Sequence, residues 1–167
     1  MLSDVSTIDM AVRVLLALGL GALLGLERER HDKPAGLKTH ILVTLGAAGF
    51  GLIASALTAA ALTSDPAQAL NPASRVIQGV IGGVGFLGAG AILHMRGHVI
   101  GLTTAANMWM AAAIGLAVGL GLFVLALLLS AGAMIGLLAS RVVERRIHER
   151  APLGDAAARG ADDRADD

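Results

Sequence analysis

The chain contains no cysteine, and acidic residues are missing from a long central stretch. The lack of cysteine excludes disulfide bonds and thiolate metal sites. No Asp or Glu occurs from Pro66 to Val143, and Arg75 and Arg96 are the only Lys or Arg residues before Arg141 in this stretch. A soluble domain needs charged surfaces over such a length. These absences therefore argue against a soluble fold.

The residues that are present indicate a membrane protein. Hydrophobic residues make up 55% of the 167 residues, charged residues make up 16%, and the mean hydropathy is +0.72. The first nine residues contain Asp4 and Asp9 but no Lys or Arg, so the basic start of a secretory signal peptide is missing. We therefore expect the first apolar run to be retained. The formal net charge of zero gives no indication of a nucleic-acid partner.

The apolar runs predict an all-α bundle of about five transmembrane helices. A bilayer core of about 30 Å takes roughly 20 helical residues. The last two runs could form one helix, but about 39 residues would reach nearly 60 Å, twice the thickness of that core. A turn at Gly119–Gly121 is therefore the better interpretation. The predicted spans are Ile8–Leu26, Leu37–Leu62, Val76–Met95, Leu102–Leu120 and Leu122–Ser140.

Basic residues predict the orientation of this bundle. Lys and Arg cluster after the first span and after the last span, whereas only Arg75 lies on the opposite side. We therefore expect the N-terminus outside and the C-terminus in the cytoplasm. Residues 1–140 form the predicted membrane domain, and residues 141–167 form a basic juxtamembrane segment with a disordered tail. All five histidines fall on the inner side, either as interfacial residues or as a pH- or metal-sensing cluster: His31, His40, His94, His98 and His148.

The glycine-rich stretch "GVIGGVGFLGAGAI" has the G-x-G-x-x-G spacing of a dinucleotide-binding loop at Gly83, Gly85 and Gly88. That function also requires an acidic residue about 20 positions later, and the next carboxylate is Glu144. In a membrane helix, glycines instead let neighbouring backbones approach closely. We therefore predict helix packing at Gly79, Gly83, Gly85, Gly88 and Gly90, together with a bend or break of this helix.

Four G-x-x-x-G pairs predict close helix packing and self-association. They occur in four of the predicted spans, and the simplest symmetric assembly that they favour is a homodimer. The pairs are Gly21 with Gly25, Gly79 with Gly83, Gly115 with Gly119, and Gly132 with Gly136.

An ion pair is expected near the outer end of the first span. Asp9 and Arg13 are spaced i, i+4 on one helix face, where an ionisable residue is costly unless it is paired. The pair either only neutralises Arg13 or supplies a functional acid at an ion or proton entry.

A polar site is expected at the inner face. The first and third spans end there and the second and fourth begin there, so their polar residues share one membrane depth. Each polar residue of the fourth span either hydrogen-bonds to another helix or lines an ion path, whereas Trp109 is expected to pack. The predicted site residues are Glu27, Arg28, Lys38, Thr39, His40, Thr103, Thr104 and Asn107.

The sequence provides no support for an enzyme or a resident cofactor. It contains no G-x-S-x-G nucleophile motif, no H-E-x-x-H metal motif and no P-loop. We therefore expect a membrane protein without enzymatic activity.

Three motifs resemble the MgtC/SapB family of bacterial membrane proteins. They are "LGLERERHDKPAGLKTHILVTLGA", "GVGFLGAGAI" and "GLTTAANMWMAAAIGLAVGLG", in this order along the chain. The resemblance runs from about Ile8 to Ser140 and implies a five-span inner-membrane protein linked to growth at low magnesium. Longer members carry a cytoplasmic domain after the last span, whereas this chain ends soon after Ser140.

Two functions are compatible with this resemblance. One is a regulator that binds another membrane protein through its helices, and the other is a transporter of Mg²⁺. Magnesium prefers oxygen ligands and keeps several waters. The predicted second to fifth spans contain no carboxylate, so an all-protein cage for Mg²⁺ is not expected. The lack of carboxylates weakens the case for transport, and the lack of the cytoplasmic domain weakens the case for regulation through soluble contacts. We favour the regulator, with Mg²⁺ as its ligand or as a transported ion; the metal-binding residues are unknown.

Overall fold

The computed structural model describes residues 6–64, 70–95 and 98–150. Five helices occur in this part of the chain, so the predicted all-α architecture is confirmed. The described residues fall into two compact units, divided between Ala133 and Met134. The predicted disordered tail, residues 151–167, lies outside the described residues. The helices are α1 (Thr7–Glu29), α2 (Leu37–Ser64), α3 (Leu70–Ala91), α4 (Leu102–Gly119) and α5 (Phe123–Arg150).

Helix boundaries follow local capping chemistry. The Ser6 side chain accepts a hydrogen bond of 3.1 Å from the Asp9 N–H at the start of α1. The Leu37 N–H donates to Glu29 Oε2 over 2.9 Å, which satisfies a backbone donor at the start of α2. Gly121 adopts a φ of +80° between α4 and α5, a conformation that glycine tolerates. The chain therefore turns where the length of the apolar stretch predicts a break.

The third predicted span needs correction. It was expected at Val76–Met95, but α3 covers Leu70–Ala91 and a short antiparallel hairpin follows it. Strand β1 (Leu93–Met95) pairs with β2 (His98–Ile100), with Leu93 opposite Ile100. The predicted break in α3 is also wrong, because the helix is continuous despite its six glycines. Backbone hydrogen bonds within the helix therefore outweigh the low helix propensity of glycine.

Four of the described helices are long and apolar enough to cross a membrane, namely α1, α2, α4 and α5. Helix α3 has a similar length and carries the polar residues Arg75 and Gln78 and six glycines. The exposed surface is apolar as well, with exposed fractions of 79% for Phe86, 77% for Ile8 and 72% for Val124. Such surfaces are typical of lipid-facing helices and not of soluble monomers.

Helices α2 and α4 form the centre of the first unit, since both contact α1 and α3 and they contact each other. A small apolar core forms where α2, α3 and α4 meet, around Ala47, Val84 and Ala112. Trp109 was expected to pack, but 47% of its surface is exposed. Its indole lines a shallow apolar groove with residues of α3 and α5, including Val80 and Leu125.

Glycine contacts determine which helices approach most closely. A Cβ atom added at Gly115 or Gly119 would overlap backbone carbonyl oxygens of α2, those of Thr44 and Ala48. Added at Gly25, it would lie 2.7 Å from Leu37 Cα. These three glycines therefore allow α1 and α4 to pack closely against α2, as small residues do in membrane helices.

The predicted packing glycines of α3 behave differently. Gly88 contacts Ala105 of α4, with 3.5 Å from an added Cβ to Ala105 Cβ. An added Cβ would meet no atom within 4 Å at four others: Gly79, Gly83, Gly85 and Gly90. The same holds for Gly132 and Gly136 of α5. Of the five α3 glycines that were predicted to pack, Gly88 alone contacts another helix within the described chain. The other four lie on the surface of α3.

The described part of the second unit is entirely α-helical. It continues α5 from Met134 to Arg150, and Ser140 Oγ donates to the Leu137 carbonyl over 3.0 Å. The helix thus extends beyond Ser140, where the last span was predicted to end.

Candidate functional site

A buried polar junction joins α1, α2 and α4 at the end where α1 finishes and α2 and α4 begin. Arg28 Nη2 donates a hydrogen bond of 2.8 Å to Thr104 Oγ1, and Arg28 is only 3% exposed. This contact connects residues 76 positions apart in the chain. A buried guanidinium is costly unless it is hydrogen-bonded, so Thr104 is a specific partner for this charge.

His40 contributes the α2 side of the junction. Its Nδ1 lies 2.9 Å from the Gly36 carbonyl oxygen, which can only accept, so Nδ1 carries the proton of the neutral ring. The other nitrogen, Nε2, is then an acceptor, and it is buried without a hydrogen-bond partner within the described chain. Close packing against Gly25 keeps the His40 side chain in place, with 3.2 Å from an added Cβ to His40 Cβ.

The junction contains several buried polar atoms without a hydrogen-bond partner. Among the described residues, Arg28 Nε and Asn107 Nδ2 are buried donors without a hydrogen-bond partner, and His40 Nε2 is a buried acceptor without one. Arg13 Nε, away from the junction, is a third donor of this kind. Each orphaned buried group costs about 1–3 kcal/mol. A fold tolerates such costs most often where the groups serve a function.

The remaining predicted residues fall into two groups. Glu27 is buried at 7% exposure, and its backbone carbonyl accepts a hydrogen bond from His31 Nδ1 over 2.7 Å. Lys38 and Thr103 are exposed and Thr39 is half-buried, so these three side chains lie at the rim of the junction or outside it. The buried face of α4 carries Thr104 and Asn107, three positions apart, and directs Thr103 away.

One contributor was not predicted from the sequence. Thr44 lies one turn after His40, is fully buried, and donates to the His40 carbonyl over 2.8 Å. A threonine i, i+4 from a histidine in an apolar helix is the only sequence signal for it. Of the histidines, His31 is exposed and His40 is buried, while the side chains of His94, His98 and His148 lie outside the described residues.

A second polar contact set lies at the opposite end of the bundle. Arg13 Nη2 lies 2.8 Å from Asp9 Oδ2, and Arg13 Nη1 donates to the Gly119 carbonyl over 2.7 Å. The guanidinium also lies 5.7 Å from the centre of the Phe123 ring. Since Gly119 ends α4, Arg13 neutralises the partial negative charge at this helix terminus.

We expect Arg13→Gln to lower the free energy of unfolding by about 1–2 kcal/mol, because it removes a charge-assisted hydrogen bond and an ion pair. Equilibrium unfolding in mixed detergent micelles, followed by fluorescence of the single tryptophan, measures this change. Arg30→Gln, at an exposed position just after α1, is the matched control. Equal stability of the two variants would show that the Arg13 contacts contribute nothing.

The described residues contain no group of three His, Cys, Asp or Glu side chains that could hold a metal ion. The polar groups of the junction are instead a guanidinium, an amide, a hydroxyl, an imidazole and one carboxylate. Such a set suits hydrogen bonding between helices more than coordination of a hard cation.

Comparisons with known proteins connect this fold to a family. A profile of the MgtC family matches residues 14–146. The chain is 42% identical to Protein SrpB of Synechococcus elongatus over 129 residues, which cover 72% of this chain and 69% of SrpB. It is 40% identical to the putative magnesium transporter YhiD of Escherichia coli over 117 residues, which cover 70% of this chain and 54% of YhiD.

A third relative is Protein MgtC of Salmonella typhimurium, which is 40% identical over 112 residues, covering 67% of this chain and 44% of MgtC. The chain thus spans about half the length of YhiD and MgtC. No solved structure matches the chain. The family match covers all of α2, α3 and α4, and with the apolar helices it identifies a multi-pass membrane protein. This chain belongs to the MgtC family.

Proposed function

We propose that this protein acts in magnesium homeostasis in the bacterial inner membrane, as a regulator of another membrane protein. Membership of the MgtC family and the name of YhiD, a putative magnesium transporter, support the link to magnesium. The choice of a regulator over a carrier rests on how the helices pack around the polar junction.

The observation that carries this choice is the closed packing between α2 and α4. Gly115 and Gly119 bring backbone against backbone, so side chains and solvent are excluded between these helices at two successive turns. Magnesium dehydrates reluctantly and usually keeps several waters when it is bound. A hydrated ion therefore finds no room along this interface.

The charge at the junction supports the same choice. Arg28 places a buried positive charge where the polar side chains of α1, α2 and α4 come together. Since this guanidinium is matched by the one buried carboxylate of the described residues, Glu27, the junction has no excess negative charge to attract a divalent cation. The orphaned donors of Arg28 and Asn107 are better suited to an arrangement that changes when a partner binds.

The positive-inside rule assigns this junction to the cytoplasmic end of the bundle. Four basic residues lie within or next to the α1–α2 connection, namely Arg28, Arg30, Lys33 and Lys38. A regulator that responds to the state of the cytoplasm would have its polar contacts at this end.

Direct transport of Mg²⁺ is the alternative, and reconstitution separates the two. The purified full chain is placed in liposomes that contain a magnesium-sensitive dye, and Mg²⁺ is added outside. The regulator hypothesis predicts influx equal to that of empty liposomes. Gradient-driven influx that Asn107→Ala abolishes and Thr103→Ala preserves would overturn it.

Growth at low magnesium tests the role in homeostasis itself. In a strain with a low-magnesium growth defect that the wild-type gene corrects, Asn107→Ala should fail to restore growth. Thr103→Ala should restore it, because Thr103 lies outside the junction on the same helix. Both variants are compared at matched abundance in the membrane. If cells with Asn107→Ala grow like the wild type, the polar junction is not required for growth at low magnesium.

A further inference from the structure

An apolar groove of about 660 Å³ lies between α2 and α3, on a different part of the bundle from the polar junction. Its walls include Leu42 and Phe50 of α2 and Val76, Gly79, Gly83 and Leu87 of α3. Every residue that lines it is apolar or glycine. At Gly79 and Gly83 an added Cβ would meet no atom within 4 Å, so the groove exposes bare helix backbone.

A single positive charge marks one end of this groove. Arg75 directly precedes the lining residue Val76, and its side chain is exposed. Helix α3 contains no Asp or Glu, and no carboxylate pairs with Arg75 within the described part of the chain. The long arginine side chain can place its guanidinium at the level of lipid headgroups while the groove continues into the hydrocarbon.

The length of the groove matches one membrane leaflet. Val76 and Leu87 are separated by about 16 Å along α3 at the rise of an α-helix. Half of a hydrocarbon core of about 30 Å has nearly the same depth. An acyl chain whose phosphate lies at Arg75 would therefore be covered along most of the leaflet.

We propose that this groove binds one phospholipid, with an acyl chain along Gly79 and Gly83 and an anionic headgroup at Arg75. Methylene groups can approach the bare backbone at these glycines, which supplies van der Waals contact. Arg75 prefers a headgroup with net negative charge, because the ammonium of a zwitterionic headgroup already neutralises its phosphate. This site is independent of the proposed regulatory function.

A second copy of the chain is a less suitable occupant. Two parallel copies that met through the same groove would bring their Arg75 side chains to the same depth near the symmetry axis. Since α3 provides no carboxylate, this like-charge contact would be uncompensated. The phosphate of a lipid removes that difficulty.

Quenching of a groove tryptophan by brominated lipid tests the proposal. The reporter carries Phe50→Trp in a Trp109→Phe background, and Leu128→Trp on the exposed face of α5 is the control reporter. Each full-length protein is reconstituted into dioleoyl phosphatidylcholine with about one-fifth dibrominated phosphatidylglycerol, or the same share of dibrominated phosphatidylcholine. We expect the brominated anionic lipid to be enriched about fivefold at the groove over its share of the bilayer. The control reporter should show no enrichment.

Three further variants relate the signal to the site. Arg75→Gln should remove the preference for the anionic lipid, whereas Arg75→Lys should keep most of it. Gly83→Leu should fill the groove and lower quenching of the Phe50→Trp reporter. Equal quenching by both brominated lipids would overturn the proposal. So would protection of this reporter from both lipids together with a dimer that Gly83→Leu dissociates, because a second copy would then occupy the groove.

Discussion

Gly115→Leu is expected to lower the free energy of unfolding of the bundle by about 3 kcal/mol or more. A Cβ at this position overlaps the Thr44 carbonyl oxygen and lies 3.0 Å from Ala47 Cβ, so α2 and α4 must separate. Overpacking of a close interface typically costs about 1–3 kcal/mol and sometimes more. Separation would also disrupt the core around Ala47, Val84 and Ala112.

Equilibrium unfolding in mixed detergent micelles measures this change in the free energy of unfolding, with fluorescence of the single tryptophan and circular dichroism as probes. Gly132→Leu is the matched control, because an added Cβ at Gly132 meets no atom within 4 Å. The control should unfold within about 0.5 kcal/mol of the wild type, as surface substitutions usually do. If Gly115→Leu unfolds at the wild-type midpoint, the close approach of α2 and α4 is incorrect.

Thr104→Val should have the second largest effect, a loss of about 1.5–3 kcal/mol in the free energy of unfolding. The change keeps the shape of the side chain and removes the hydroxyl that accepts a hydrogen bond from Arg28 Nη2. A buried charged donor is then left without its acceptor, and hydrogen bonds to charged groups contribute this much. Helices α1 and α4 would lose their described polar connection at this end.

Thr103→Val is the control for Thr104→Val, since it is the same substitution one position earlier at an exposed site. Thr104→Ser keeps a hydroxyl and should restore most of the stability. Each variant is unfolded in the same micelles and tested for growth at low magnesium. Equal stability of Thr103→Val and Thr104→Val would show that the bond between Arg28 and Thr104 contributes nothing.

The sequence by itself determined the class of structure. A stretch without carboxylates and runs of about 20 apolar residues leave a helical membrane bundle as the main solution, because unsatisfied backbone groups are too costly in lipid. The length of the last apolar stretch also located the turn at Gly119–Gly121. The spacing of Asp9 and Arg13 anticipated their ion pair, because residues i and i+4 are neighbours on any helix.

Only the tertiary structure decided which residues meet across helices. Thr103 and Thr104 are adjacent and chemically identical, and the rotation of α4 about its axis buries the second and exposes the first. In the same way, Gly115 and Gly83 both belong to G-x-x-x-G pairs, but Gly115 contacts α2 while Gly83 lines an open groove. Spacing along one helix defines a face, whereas the neighbour of that face depends on the packing of the whole bundle.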